Sequence, residues 1–204
     1  FAFTNRRHQR LMFPSRLVSV LGGGAGLQNN YSLAFDGSYD YVQSTISGDT
    51  SSVFGNQSDF ESTISFWFKA DSLAGNEGIA QWAQAGEVTD TTPFFLLQTN
   101  SGGLRFLVDD TYTSLTGTFS TGTWYHFVLT RTASDNTWRS YINGSANATY
   151  DDSGTPARQD NADVFYLGTG YNGYANVYIT NVQIWDKVWS LTDVQYAYTH
   201  PERL

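Results

Sequence analysis

The chain has 204 residues and a formal net charge of -8, long enough to bury a full core as one domain, since all-β sandwiches of this size need not divide. It contains no cysteine, which excludes a disulfide framework, a thiolate metal site and a thiol nucleophile. Apolar runs stop well short of the roughly 20 residues that span a bilayer, and glycine and aromatics are plentiful while prolines number only four, so the expected class is all-β.

Charge divides the chain near its start. Residues 1–16, FAFTNRRHQRLMFPSR, hold four arginines, Arg6, Arg7, Arg10 and Arg16, and no acid. The remaining 188 residues carry seven basic and 19 acidic groups, a net of -12. An acidic body repels phosphate backbones, which argues against nucleic acid as its partner. The basic arm, followed by GGGAG at 22–26, reads as a tether that docks on an acidic protein surface. LVSVLGGGAG, inside this arginine-rich start, is too short for a secretory signal. The expected organisation is an arm and linker over 1–30 and one folded domain over 31–204.

Strand signals follow at short intervals. YSLAFDGSYDYVQ ends one extended segment at the Asp36-Gly37 turn, and STISFWFKAD alternates Ile64, Phe66 and Phe68 against Ser65, Trp67 and Lys69. FFLLQTNSGGLRFLVDD is a pair of apolar runs around Asn100 to Gly103. WYHFVLTRTASDNTWRSYINGS is another, with Asn143-Gly144 supplying the positive φ angles of a tight turn. Trp67, Trp124 and Trp185 lie in alternating segments and are expected to pack. In VYITNVQIWDKVWSLTDVQYAY the alternation crosses over near Asn181 and gives way after Ser190 to Leu191, Val194, Gln195 and Tyr198, a helical spacing. Ser190 followed by Asp193 caps that helix. No repeat of 20–50 residues is visible, so solenoids and propellers are disfavoured.

SLAFDGSYDYV, STISFWFKAD, GTWYHFVLTR with WRSYINGS, and FYLGTGYNGYANVYITNVQIWDKVWSLTDVQ stand in this order along the chain. Together, over about residues 31–198, they resemble the laminin-G-like members of the concanavalin A-like lectin/glucanase superfamily. The resemblance implies a two-sheet antiparallel jelly roll with a short C-terminal helix, the last strand returning beside the first. The basic N-terminal arm extends outside it. Fold leaves function open.

A retaining glycosidase needs two carboxyl groups about 5 Å apart, and the related glucanases place them as glutamates on one strand around a central aspartate. Here the glutamates are Glu61, Glu77, Glu87 and Glu202, none in that pattern, and Asp59 with Glu61 reads as a pair of turn acids. His126 matches a histidine that the resemblance gives a structural role, with neither a serine elbow nor a second histidine beside it. His8 and His200 lie in the tails, and three scattered histidines do not make a zinc site. The expectation is a protein that is not an enzyme. The resemblance also implies calcium near the first and last strands, with Asp36 and Asp40 at one end. Thr180 and Asn181 stand where relatives have an acid, so a site of Asp36, Asp40 and Asn181 should be weak.

Recognition is better supported. A sugar site stacks an aromatic ring on a pyranose face and surrounds it with amides and carboxylates. AQWAQAGEVTD offers Trp82 and Asp90, VDDTYTS offers Asp109 and Tyr112, and GTGYNGYAN offers Tyr171, Asn172 and Tyr174. Glycine-rich and polar, the last loop cannot bury both tyrosines, so at least one ring should be exposed. Sequons at Asn30, Asn56, Asn143 and Asn147 matter only in a secreted chain, and that of Asn143 serves its turn. The combined expectation is a non-catalytic recognition or surface-decoration module at a virion surface or outside the cell. Its arm would dock on a viral capsid or tail. The alternatives are a secreted or cell-surface glycan-binding module, a divergent glycoside hydrolase or lyase, and a jelly-roll coat whose arm binds an RNA genome.

Overall fold

The computed structural model describes residues 3–5, 10–11, 31–45, 60–83, 95–108, 111–153 and 164–201. The strands are β1 (Phe3–Asn5), β2 (Arg10–Leu11), β3 (Leu33–Asp36), β4 (Val42–Thr45), β5 (Ser62–Ala70), β6 (Gly78–Ala83), β7 (Phe95–Asn100), β8 (Gly103–Val108) and β9 (Thr111–Ser114). They continue with β10 (Trp124–Thr132), β11 (Thr137–Ile142), β12 (Ser145–Asp151), β13 (Val164–Leu167), β14 (Thr169–Gly170), β15 (Gly173–Tyr174) and β16 (Asn176–Trp185), before helix α1 (Leu191–Thr199).

Two sheets form a jelly-roll sandwich. The smaller has the order β12-β11-β10-β5-β16-β3, and the larger runs β2-β1-β4-β13-β6-β7-β8-β9 with β14 and β15 attached at β6. Alternation in β5 puts Ile64, Phe66 and Phe68 against Phe95, Phe106 and Phe165 of the facing sheet, all essentially without exposure. β16 lies between β5 and β3, so the last strand does return beside the first strand of the domain. Two pieces of the basic arm also join the larger sheet: Phe3–Asn5 pairs with Val42–Ser44, and Arg10–Leu11 pairs with β1.

The crossover of alternation near Asn181 is a β-bulge. Thr180 pairs with Trp67 but Gln183 with Ser65, so β16 carries one extra residue there, and Asn181 takes φ 52. Asparagine tolerates that left-handed angle better than most residues. Its side-chain amide donates to the Pro201 carbonyl at 2.7 Å, tying the bulge to the end of α1. The helix starts at a capping box: Ser190 Oγ accepts from Asp193 N at 3.2 Å, and Asp193 Oδ2 accepts from Ser190 N at 2.9 Å. Val194 and Ala197 seal it onto Val128, Tyr141 and Trp189, closing one outer face.

A buried ion pair pins β10 to the end of β12. Arg131 Nε donates to Asp152 Oδ2 at 2.9 Å, the indole of Trp138 donates to the same oxygen at 2.8 Å, and Arg131 Nη1 donates to the Phe60 carbonyl at 2.6 Å. Asn143 takes φ 50 in its turn and accepts from His126 N at 2.9 Å, the structural role expected of it.

Candidate functional site

The outer face of the larger sheet is assembled by strand register. One row crosses it as Gln43, Tyr166, Gln81, Leu96, Leu107 and Tyr112. The next runs Gly78, Gln98, Arg105 and Ser114. Over these rows lies the hairpin of β14 and β15, which carries GTGYNGYAN. Its fit depends on two glycines in contact: a Cβ on Gly78 would come within 2.2 Å of the backbone nitrogen of Gly170, so only two bare backbones approach this closely. The Tyr171 N–H then donates to the Oε1 of fully buried Gln81 at 2.7 Å. The hairpin tip is therefore bolted to the sheet, with Tyr171 exposed at its turn.

On one side of the hairpin the aromatics run from core to solvent. Tyr166 and Tyr41 are buried with ring centroids 6.0 Å apart, Tyr174 is half-buried 6.3 Å from Tyr41, and Tyr39 lies 5.1 Å from Tyr174 with 78% of its surface exposed. Tyr39 is held at φ 68, a costly conformation for a bulky side chain. It follows the turn in which Asp36 Oδ1 accepts from Ser38 N at 2.7 Å.

Across the hairpin a polar network takes over. The side-chain amides of Asn172 and Gln98 stand 3.4 Å apart. With its oxygen turned to Arg105, Gln98 accepts from Nε at 2.8 Å and from Nη2 at 2.7 Å, and its amide nitrogen is turned toward Asn172. Arg105 Nη2 also donates to Asn76 Oδ1 at 3.3 Å, and the guanidinium lies 3.7 Å over the ring of Tyr112, which is exposed. Neighbouring Glu77 has its carboxyl pushed above the ordinary glutamate range by burial.

Of the residues expected to bind ligand, Tyr112, Tyr171, Asn172 and Tyr174 thus share one face. Trp82 must be corrected: it lies in β6, not in a loop, and is fully buried edge-on to Phe165, so it offers no ring to a sugar. Asp90 and Asp109 lie outside the described residues, as do Arg6, Arg7 and Arg16; Arg10 falls in β2. The three residues expected around calcium do not converge. Asp36 pairs with Asn176, five residues before Asn181, and the Asn181 side chain is engaged at Pro201, so Asn181 does not complete a site with Asp36 and Asp40. No group of three or more His, Cys, Asp and Glu suited to a metal occurs among the described residues. Trp124 and Trp185, expected to pack, are exposed instead. Tyr39, Gln98 and Arg105 were not singled out from the sequence; a tyrosine just after a DG turn was the one local signal.

His126 lies on the opposite, helix-covered face. Its Nε2 is 2.9 Å from Ser65 Oγ, and its ring lies beside the stacked pair Trp67 and Tyr198, with centroids 5.1 and 6.2 Å away. Burial lowers its pKa to about 4, so it is neutral near pH 7. At 1% exposure this serine and histidine meet no solvent.

Residues 35–195 match the laminin G type of family model described as the concanavalin A-like lectin/glucanases superfamily. The chain belongs to this superfamily. No curated protein sequence matches it. Among solved structures, this lectin/glucanase-superfamily chain is similar to the binding domain of botulinum neurotoxin serotype D, with a TM-score of 0.65 and 17% identity over 85% of this chain and 44% of that one. It is also similar to the Trypanosoma rangeli sialidase in complex with the inhibitor DANA, with a TM-score of 0.60 and 17% identity over 82% of this chain and 27% of that one. At such identity the likeness is one of fold, and the superfamily domain spans less than half of either relative.

Proposed function

We propose that the domain is a non-catalytic recognition module that binds carbohydrate on the outer face of its larger sheet. The observation that carries this is Tyr39, held exposed at a strained backbone angle against Tyr174. Strain of this kind persists where the surrounding structure enforces it, and it clusters at binding sites. A sugar ring stacked on Tyr39 would extend toward Tyr171 and Asn172, whose amide supplies both a donor and an acceptor for hydroxyls. Membership in a lectin/glucanase superfamily, and likeness to a toxin's binding domain and to a sialidase, support carbohydrate as the ligand class. The non-catalytic part is supported by the position of His126 and Ser65 beneath α1 and by Glu61 standing exposed at the entrance to β5. A glycan array with the unmodified chain, Tyr39→Ala and Tyr171→Ala tests the reading. Binding should fall at least about tenfold in each variant while the melting temperature changes little, because exposed rings contribute little to the core. Retained binding in both variants overturns it.

The contrast between a basic arm and an acidic body favours a second reading, in which the module decorates a virion surface through Arg6, Arg7, Arg10 and Arg16. Replacing the four arginines with glutamine should then release the protein from capsid or tail preparations and leave glycan binding intact. Attachment that persists removes this reading.

A further inference from the structure

We infer that the ligand is an acidic carbohydrate and that Arg105 receives its anionic group; this deepens the carbohydrate reading and rests on it. Three arginine side chains fall among the described residues. Arg131 pairs with Asp152 and Arg139 with Asp135, as expected in a chain with a net charge of -8. Among the described residues Arg105 is held by neutral partners: the amide oxygens of Gln98 and Asn76 and the face of Tyr112. Its Nη1 has no hydrogen-bond partner among the described residues. Glu77, next to Asn76 in sequence, forms no ion pair with it: the salt bridges among the described residues are those of Arg131 and Arg139.

Gln98 is fully buried and sits opposite Arg105 in the β7–β8 register. Two N–H groups of the guanidinium are therefore fixed from below, and its orientation is set before any ligand arrives. The two N–H groups of Nη1 remain to donate. Tyr112 beneath the guanidinium and Tyr171 on the neighbouring hairpin are both exposed, and Asn172 reaches the same Gln98 amide. A fixed cation that no carboxylate of the described residues neutralises, between two exposed tyrosines and an amide, is complementary to a sugar ring bearing one anionic oxygen pair. A carboxylate on the ring or a sulfate ester would each supply it.

Titration calorimetry of the full chain with lactose, sialyllactose and sulfated lactose tests this, the two acidic sugars separating carboxylate from sulfate. At least one acidic sugar should bind about tenfold or more tightly than lactose, with the preference shrinking as salt is raised. In Arg105→Gln the ratio of acidic to neutral affinity should fall to about one, and Arg105→Lys, which keeps the charge but loses the fork, should retain part of it. If lactose binds as tightly as both acidic sugars, and Arg105→Gln leaves the ratio as it was, the inference is wrong while the carbohydrate reading stands. If no sugar binds in the calorimeter and none on the array, the carbohydrate reading itself falls, and the inference with it.

Discussion

Lowering the pH from 7 to 5 should destabilise this domain through one residue, His126. In the folded chain its pKa is about 4 because burial disfavours the imidazolium, whereas in the unfolded chain it returns to about 6.5. Between those values the unfolded state binds a proton that the folded state refuses, so stability is full above about pH 6.5 and declines as pH falls, levelling near pH 4. Integrating over that interval, the loss from pH 7 to pH 5 is about 2 kcal/mol, or about 4–8 °C of melting temperature for a domain of this size. The structure explains why the proton is refused. One ring nitrogen faces Ser65 Oγ at 2.9 Å, the other is buried without a hydrogen-bond partner among the described residues, and a charged ring would need acceptors at both. Thermal melts at pH 7 and 5 on the unmodified chain and on His126→Gln isolate the effect from the carboxylates, since only the difference between the two proteins belongs to His126. The imidazole resonance followed by NMR gives the pKa directly. A titration near 6.5 in the folded protein, or identical pH dependence of the two melts, would refute the reasoning.

Asp152→Ala should cost about 3–5 kcal/mol in chemical denaturation, because it leaves the buried guanidinium of Arg131 without its carboxylate; the double change Arg131→Met, Asp152→Leu should recover most of that loss. Gly78→Ala places a methyl group on the backbone of Gly170, so the hairpin should lift and the Tyr171 amide, now bonded to Gln81, should lose protection in hydrogen exchange at a cost of about 1–3 kcal/mol. Ser190→Ala removes the cap of α1 and should lower stability by about 1 kcal/mol. Chelation should move the melting temperature by well under about 15 °C, since Asp36 and Asn181 do not converge; a shift of that size would mean a well-formed calcium site.

What the sequence made legible was local. The change of rhythm at Asn181 marks a bulge, because an asparagine inside an alternating strand is a residue that accepts the positive φ the extra position demands. Ser190 with Asp193 marks the helix start, because the cap is a contact three residues long. The tryptophans were the failure. Trp82 sits one residue before the end of β6 and points into the core, whereas Trp124 and Trp185 take the outer face of the smaller sheet, paired with Lys69 and Thr63, at strand ends that α1 leaves exposed. Alternation says which face a residue takes, but how far the opposing layer reaches is decided elsewhere in the chain. Arg105 was illegible for the same reason, since its partners come from β7, the β5–β6 connection and β9.

The two outer faces have been put to different uses, and the difference bears on how the site works. On the smaller sheet α1 covers Val128 and Tyr141, and Tyr198 stacks over Trp67, so that face is largely spent on stability. On the larger sheet the covering element is a hairpin over Thr169–Tyr174 whose backbone is fixed by Gln81 and by glycine contact. Loop residues ordinarily bind at the expense of ordering themselves. Here Tyr171 and Asn172 are already ordered, because their turn rides on the sheet, and Arg105 is ordered by a buried amide one strand away. The stiffness of the proposed recognition surface therefore comes from strand register rather than from the loop. A substitution that slips β7 against β8 should accordingly damage binding more than one that shortens an exposed side chain at the rim.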